Sequence, residues 1–448
     1  MARATMYFPP DFLWGSATSS HQVEGNNLNN DWWAWEREDG HILDGGRSGL
    51  ACNWWENAER DIDLMVEMGT NAHRLSIEWS RVEPEPSVFD PEALNRYREI
   101  IQALRRHNIE PMVCLHHFSN PLWLVEKGDF DSEVVVDYFQ RYVTKVVEAL
   151  GDLVPKWLTF NEPMVYFLFR YVDGLFPAPN QDGWRSGLRS LTNMLRCHAA
   201  AYRTIKSAQS SAEVGMAKHY RVVEAWPGSN RLSQWWANRG SWFFNDLWMG
   251  CLASGRLRWP LGRGAISGLA GSFDFTAINY YSRALVKFPP RPGRLYESGA
   301  PPGAVTADDD YFELYPEGLF KAIKANLRYG KPIYVTENGL PDAKDRYRPA
   351  FILSHLREVW RAISFNYPVM GYYHWTLVDN FEWDRGWRQR FGLIALDPET
   401  QARSWRPSGR LYAEICRTNS ISSDMAERYA PNVLATMFPG ESPALSAS

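Results

Sequence analysis

Short apolar runs that stop on polar residues alternate along this chain with longer stretches whose apolar positions recur at helical spacing. Eight runs read as strands. The first four are "FLWGSA" (Phe12 to Ala17), "AHRLSI" (Ala72 to Ile77), "PMVCLHH" (Pro111 to His117) and "KWLTFN" (Lys156 to Asn161). The others are "EVGMAKH" (Glu213 to His219), "DFTAIN" (Asp274 to Asn279), "PIYVTE" (Pro332 to Glu337) and "PVMGYYHW" (Pro368 to Trp375). Between them, segments such as "PEALNRYREIIQALRRHN" and "DSEVVVDYFQRYVTKVVEALGD" read as amphipathic helices. Strands that alternate with helices predict a parallel sheet with right-handed crossovers. Eight such units predict an α/β fold, a single (β/α)8 TIM barrel whose active-site loops follow the C-terminal ends of its strands. An open doubly wound sheet is the alternative, but no Gly-x-Gly-x-x-Gly turn follows the first strand.

The barrel is expected over residues 1–419, with 420–448 as a C-terminal tail holding a short helix before a loose end. The Pro- and Gly-rich stretch from Phe288 to Ala304 reads as a long surface loop after the sixth strand.

Polar residues gather where the strands end. The fourth run closes as "TFNEP", placing Asn161 and Glu162 directly after a buried segment. A core strand gains nothing from a carboxylate, because burying its charge unpaired costs several kcal/mol or shifts its pKa. A lone strand-end Glu is most simply a solvated one. However, the second strand carries Arg74, the third ends on His116 and His117, and the sixth on Asn279, Tyr280 and Tyr281. The seventh ends on "TENG" with Glu337, and the eighth runs into "HWTLVDNFEW", His374 to Trp383. In a barrel all of these lie at one pole, the pole that carries active sites.

Strands four and seven stand well apart in a ring of eight, so Glu162 and Glu337 are expected to face each other across the barrel mouth. Two carboxyl groups flanking a gap are the arrangement for glycoside hydrolysis, one as nucleophile or base, the other protonating the leaving oxygen. Arg74 beside a carboxylate holds it ionised, as a nucleophile requires. Asn161 is placed to bond a sugar hydroxyl next to the scissile bond.

Composition narrows the classes. The 448 residues are 45% hydrophobic and 22% charged, with net charge −4, so neither nucleic acid nor a membrane surface is an expected partner. The 21 tryptophans exceed what a core of this size needs, and sugar-stacking sites are one use for the surplus. Five widely spaced cysteines without a Cys-x-x-Cys argue against a disulfide framework or zinc site and suggest a reducing compartment. No secretory h-region and no run of ~20 apolar residues is seen, which leads to the expectation of a soluble, cytoplasmic protein.

The ordered motifs, from "FLWGSATSSHQVEG" to "FGLIALD", resemble those of glycoside hydrolase family 1, the β-glucosidase and β-galactosidase family. The resemblance implies a retaining mechanism with Glu162 ("TFNEP") as acid/base and Glu337 ("VTENG") as nucleophile, without a metal or organic cofactor. It implies that Gln22, His117, Asn161, Glu382 and Trp383 contact the non-reducing sugar. Trp375 would lie beneath that sugar, while Tyr281 and Arg74 flank the nucleophile and Asn279 supports the site. His116, His374 and Trp33 are left to the core or to a supporting layer.

Three positions depart from the family pattern: Phe118 where Trp is common, Phe312 where an aglycone-facing Trp is common, and His21 where Tyr is usual. The first leaves glucose versus galactose or fucose preference open, and the second aglycone affinity. The expected substrate is a small glycoside or oligosaccharide, unphosphorylated because Glu382 would repel a phosphate dianion. The expected activity is exo-hydrolysis of terminal β-glucosides such as cellobiose and aryl glycosides, extending to galactosides and fucosides, with transglycosylation alongside. A cleft-type endoglucanase and a non-catalytic sugar-binding protein are the alternatives. Oligomeric state is left open.

Overall fold

Eight parallel strands close into a barrel: β1 (Leu13–Ala17), β2 (Ala72–Ser76), β3 (Glu110–Cys114), β4 (Lys156–Asn161), β5 (Glu213–His219), β6 (Thr276–Asn279), β7 (Ile333–Asn338) and β8 (Val369–His374). Each pairs with its neighbours in sequence, and β8 returns to β1 through Gly371 opposite Leu13. The computed structural model describes residues 4–178, 183–290, 300–308 and 312–439.

A helix follows each strand on the outside: α1 (Trp54–Met68), α2 (Pro91–Arg106), α3 (Val135–Leu150), α4 (Trp184–Ala208), α5 (Leu247–Ser254), α6 (Glu317–Asn326), α7 (Arg348–Ser364) and α8 (Pro407–Thr418). Local chemistry explains their limits. The Asp90 carboxylate accepts the N–H groups of Glu92 and Ala93 at the start of α2, and Pro91 takes the first helical position. The helix then buries Tyr97, Ile100, Ile101 and Leu104, one stripe at helical spacing.

The side chains sort into two cores. One lies between strands and helices. The other fills the barrel interior, with Ala72, Met112, Leu158, Ala217, Phe275, Tyr334 and Tyr373 among its members. At the N-terminal end of the strands, Lys156 Nζ bridges Glu110 at 2.7 Å and Glu213 at 3.1 Å. The interior is therefore packed below, and the pocket opens at the other pole.

Several limits differ from the expected ones. Strand β3 stops at Cys114, so His116 and His117 stand in the loop beyond it, although Leu115 N–H still reaches the Leu158 carbonyl at 2.8 Å. Strand β8 stops at His374. Three small two-stranded sheets were not foreseen: Thr5–Tyr7 with Ser420–Ser422, Val222–Ala225 with Arg283–Val286, and Ile394–Leu396 with Arg403–Trp405. Through the first of these, the described part of the expected tail continues the fold. Helix Ser423–Tyr429 follows directly, and Ile421, Met425, Leu434 and Phe438 are buried. Residues 440–448 lie outside the described residues, as do 291–299 of the long loop expected from Phe288 to Ala304. No helix among the described residues is long and apolar enough to cross a membrane.

Candidate active site

A pocket of about 210 Å³ opens at the C-terminal ends of the strands. Its wall includes His117, Asn161, Glu162, Tyr281, Glu337, Trp375, Glu382 and Trp383, eight of the expected residues. Gln22, Arg74 and Asn279 stand behind that wall. All three are wholly buried.

Glu337 lies on β7 and takes two strong donors. Arg74 Nη1, from β2, ion-pairs with its Oε1, and the Tyr281 hydroxyl donates to its Oε2 at 2.5 Å. Glu337 stands raised to about 7, the balance of burial pushing it up, Arg74 pulling it down and the nearby Glu162 pushing it up. Tyr281 keeps its proton: burial and the Glu337 charge hold its phenol well above the ordinary range. The Gly339 that follows is obligatory, because a Cβ there would lie 2.0 Å from the Trp375 carbonyl oxygen.

Glu162 has gentler company. Its Oε1 accepts from the Asn279 amide at 2.7 Å, and its Oε2 lies 3.4 Å from His219 Nδ1. Its backbone sits at φ 45°, in the left-handed region, as β4 turns into a short helix beginning at Pro163. Phe118 (φ 71°) and Trp383 (φ 50°) share that uncommon conformation. Three such residues in one pocket wall, each costing on the order of 1–3 kcal/mol, mark a place where the fold holds strain for function.

One network fixes the amide of Asn161 and, through it, the tautomer of His117. Asn161 Oδ1 accepts from Arg74 Nη2 at 2.7 Å and from Asn279 Nδ2 at 3.0 Å, so its nitrogen points the other way. That nitrogen donates to His117 Nε2 at 3.0 Å. The His117 proton therefore sits on Nδ1, which lacks a protein partner. Burial, and Arg74 after it, keep the ring neutral. That N–H is itself buried, an unpaired donor within the pocket wall.

Opposite, Glu382 Oε1 accepts from Trp375 Nε1 at 3.0 Å and Asn380 Nδ2 at 3.1 Å. Burial pushes Glu382 up to about 8 against those donors. Gln22 is not on the wall. Its Nε2 donates to the Phe381 carbonyl at 2.7 Å, its Oε1 accepts from Ser19 at 2.6 Å, and it stands beside Glu382. Trp383 stacks on His117 (6.1 Å, 23°), and behind it His21 stacks in turn (5.9 Å, 13°).

Polar groups meet apolar ring faces here, and two carboxyls differ in their donors. That combination suits a neutral polyhydroxylated ligand and acid–base chemistry on it. The sequence profile "Glycosyl hydrolase family 1" matches residues 4–421. The chain belongs to glycosyl hydrolase family 1.

Among its relatives is a β-galactosidase of Pyrococcus woesei, 32% identical, covering 94% of this chain and 99% of the relative. The solved β-glycosidase from Pyrococcus horikoshii is 36% identical with TM-score 0.87, covering 95% of this chain and 98% of that one. The β-glucosidase from Thermotoga maritima in complex with glucoimidazole is 28% identical with TM-score 0.86, covering 93% and 100%. This family 1 chain is accordingly a β-glycosidase of the β-glucosidase kind, and the family works by a retaining double displacement.

Other wall residues of this family 1 site had no signal in the motifs. Val165, Phe169, Leu175 and Phe176 form an apolar side, and Arg221 and Arg283 stand on another. Arg283 is committed to Glu313 at 2.7 Å and Glu224 at 2.8 Å. His219 ends the fifth expected strand, and that polar strand end was the one available hint.

Among the described residues, no group of three or more His, Cys, Asp or Glu is arranged to hold a metal ion.

Proposed function

We propose that this β-glycosidase removes single β-linked glucosyl residues from the non-reducing end of short oligosaccharides and aryl glycosides, accepting galactosyl and fucosyl residues as well. Glu337 is the nucleophile and Glu162 the acid/base. The observation that carries the assignment is the contrast between their donors. Glu337 accepts from a guanidinium and a phenol, partners that favour a carboxylate ready to attack. Glu162 accepts from an amide and lies beside an imidazole, a weaker set of donors, and takes the acid/base role.

In the first step Glu337 attacks the anomeric carbon while Glu162 passes its proton to the departing oxygen. The sugar is then an ester of Glu337. The carboxylate of Glu162 next takes a proton from water, which attacks the same carbon and frees the sugar with its original configuration. An alcohol in place of that water gives transglycosylation.

His117, the Asn161 amide and Glu382 bring polar groups to the pocket wall for sugar hydroxyls, and Trp375 offers an apolar face to its C–H side. The glucoimidazole complex of the Thermotoga enzyme supports a sugar-sized occupant. Outside that subsite the Val165, Phe169, Leu175 and Phe176 side supports an apolar or aryl leaving group. The five cysteines are all unpaired and buried, which supports a reducing, cytoplasmic setting.

The test is stereochemical. Glu337→Ala is expected to be inactive on 4-nitrophenyl β-glucoside and to regain turnover with azide or formate, giving the α-configured adduct. Glu162→Ala is expected to keep the first step on substrates with very good leaving groups and to yield a β-adduct with azide. Identical behaviour of the two variants overturns the assignment.

A further inference from the structure

The two oxygens of Glu162 differ in what they meet. Oε1 accepts from the Asn279 amide, and among the described residues Oε2 meets the imidazole of His219, the last residue of β5, at 3.4 Å. The ring is held from two sides. It stacks on Tyr281 at 5.8 Å and 26°, and it meets the edge of Phe244 at 5.7 Å and 85°. Tyr281 is also the phenol that donates to Glu337, so one stacked pair spans the surroundings of both carboxyls.

Four charged or titratable groups face this imidazole. They are Glu162 beyond β4, Lys218 and Arg221 on either side of it along the chain, and Tyr281 beyond β6. Burial lowers the pKa of His219, Arg221 and Lys218 push the same way, and Glu162 pulls it back. A neutral imidazole offers one N–H and one lone pair.

Glu162 changes charge twice per turnover. Once its proton has left with the aglycone, a carboxylate stands buried in the pocket wall with the Asn279 amide N–H for support. A buried carboxylate with so few donors is unstable. We propose that His219 is a positioning residue for Glu162, donating Nδ1–H to Oε2 of the carboxylate present in the glycosyl-enzyme and holding it for the attack of water. This rests on the acid/base role given to Glu162 above. His219 forms no covalent bond: the water oxygen bonds the anomeric carbon as the bond from that carbon to Glu337 breaks, the water's proton goes to Glu162, and His219 stays neutral throughout.

Two variants of one size separate a donor from a packing group: His219→Asn keeps an amide N–H, and His219→Leu has none. Profiles of kcat/KM against pH are recorded for both on 4-nitrophenyl β-glucoside, with kcat on 2,4-dinitrophenyl β-glucoside, whose good leaving group makes deglycosylation slow relative to the first step. In His219→Leu the alkaline limb is expected to move up by about half to one pH unit, since a carboxylate stripped of a donor holds its proton longer. Its kcat on the dinitrophenyl substrate is expected to fall about tenfold, the loss of one hydrogen bond to a charged group. His219→Asn is expected to recover most of both.

Equal losses in the two variants with the alkaline limb unmoved would make His219 a packing residue and overturn the proposal. Glu162→Gln is run beside them. If its alkaline limb disappears, Glu162 is the acid, and any failure belongs to His219 alone. If that limb persists, the reading of Glu162 fails first.

Discussion

The indole N–H of Trp375 donates to Oε1 of Glu382 at 3.0 Å, joining the expected platform beneath the sugar to the expected acceptor of its hydroxyls. The two residues are seven apart in the chain, and Trp375 adjoins a cis peptide bond to Thr376. One consequence is electrostatic. Glu382 has neutral donors in Trp375, Asn380 and Gln22, and no cation among the main influences on it.

Ligand binding is therefore expected to release a proton. Burial raises Glu382 to about 8, so in the empty pocket it is mostly protonated at pH 7. Sugar hydroxyls that donate to it favour the carboxylate. Binding that favours the ionised form strengthens as pH rises, so the affinity for a neutral inhibitor such as glucono-lactam should increase from pH 6 to pH 8 and then level. Calorimetry in buffers of different ionisation enthalpy should show release of a fraction of a proton at pH 7. Proton uptake, or none, would refute the role of Glu382 as hydroxyl acceptor.

The same residue sets stability against function. Its folded pKa, about 8, lies above the ordinary 4.5, so the folded state prefers the protonated form. Glu382 thus contributes stability below about pH 4.5 that is lost as pH rises through about 8. Glu382→Gln, an amide of the same shape, should escape that loss. At pH 8 the variant is expected to be more stable than the parent by roughly 2–4 kcal/mol in urea unfolding, with the gap closing at pH 5. Its kcat/KM should fall at least tenfold, the worth of one or more hydrogen bonds to substrate.

Arg74 is expected to be indispensable to the acid side of the profile. It is fully buried and is the largest influence pulling Glu337 down. Arg74→Met should leave Glu337 protonated to higher pH. The nucleophile acts ionised, so activity falls as pH drops through the pKa of Glu337, about 7 in the parent. In the variant that limb should shift upward, and kcat/KM at pH 7 should drop by roughly 100-fold or more, the scale of breaking a buried ion pair. An unmoved limb would mean that Tyr281 alone sets the charge state.

Phe118 offers a gain-of-binding test. Its ring lines the pocket 5.5 Å from Trp383 and 5.1 Å from Phe176, and it has no N–H to give. Phe118→Trp adds one donor beside the sugar subsite. It is expected to lower KM for 4-nitrophenyl β-glucoside about fivefold, the net worth of one hydrogen bond, without changing kcat in proportion. Unfolding temperatures measured alongside would expose overpacking against Phe176. An unchanged KM with normal stability would show that position 118 does not face the sugar.

The barrel was legible in the chain because its strands are buried on both faces and so read as short, largely apolar segments between helical patterns, as in "KWLTFN", whose span matches β4 end to end. The two carboxyls were legible for the opposite reason: Glu162 and Glu337 end such runs, where a buried core has no use for a charge. What meets those carboxyls was decided by closure of the barrel. Arg74 and Glu337 are 263 residues apart, and no local pattern pairs them. Only the inward alternation of side chains on β2 and β7 brings them together. His219 reaches Glu162 because β5 adjoins β4, and Gln22, expected to contact the sugar, is oriented by its bond to the Phe381 carbonyl. The chain alone specifies where polar groups leave the strands, since burial governs that locally. Which donor each group faces, and hence its charge, depends on distances across the barrel that only the closed ring sets.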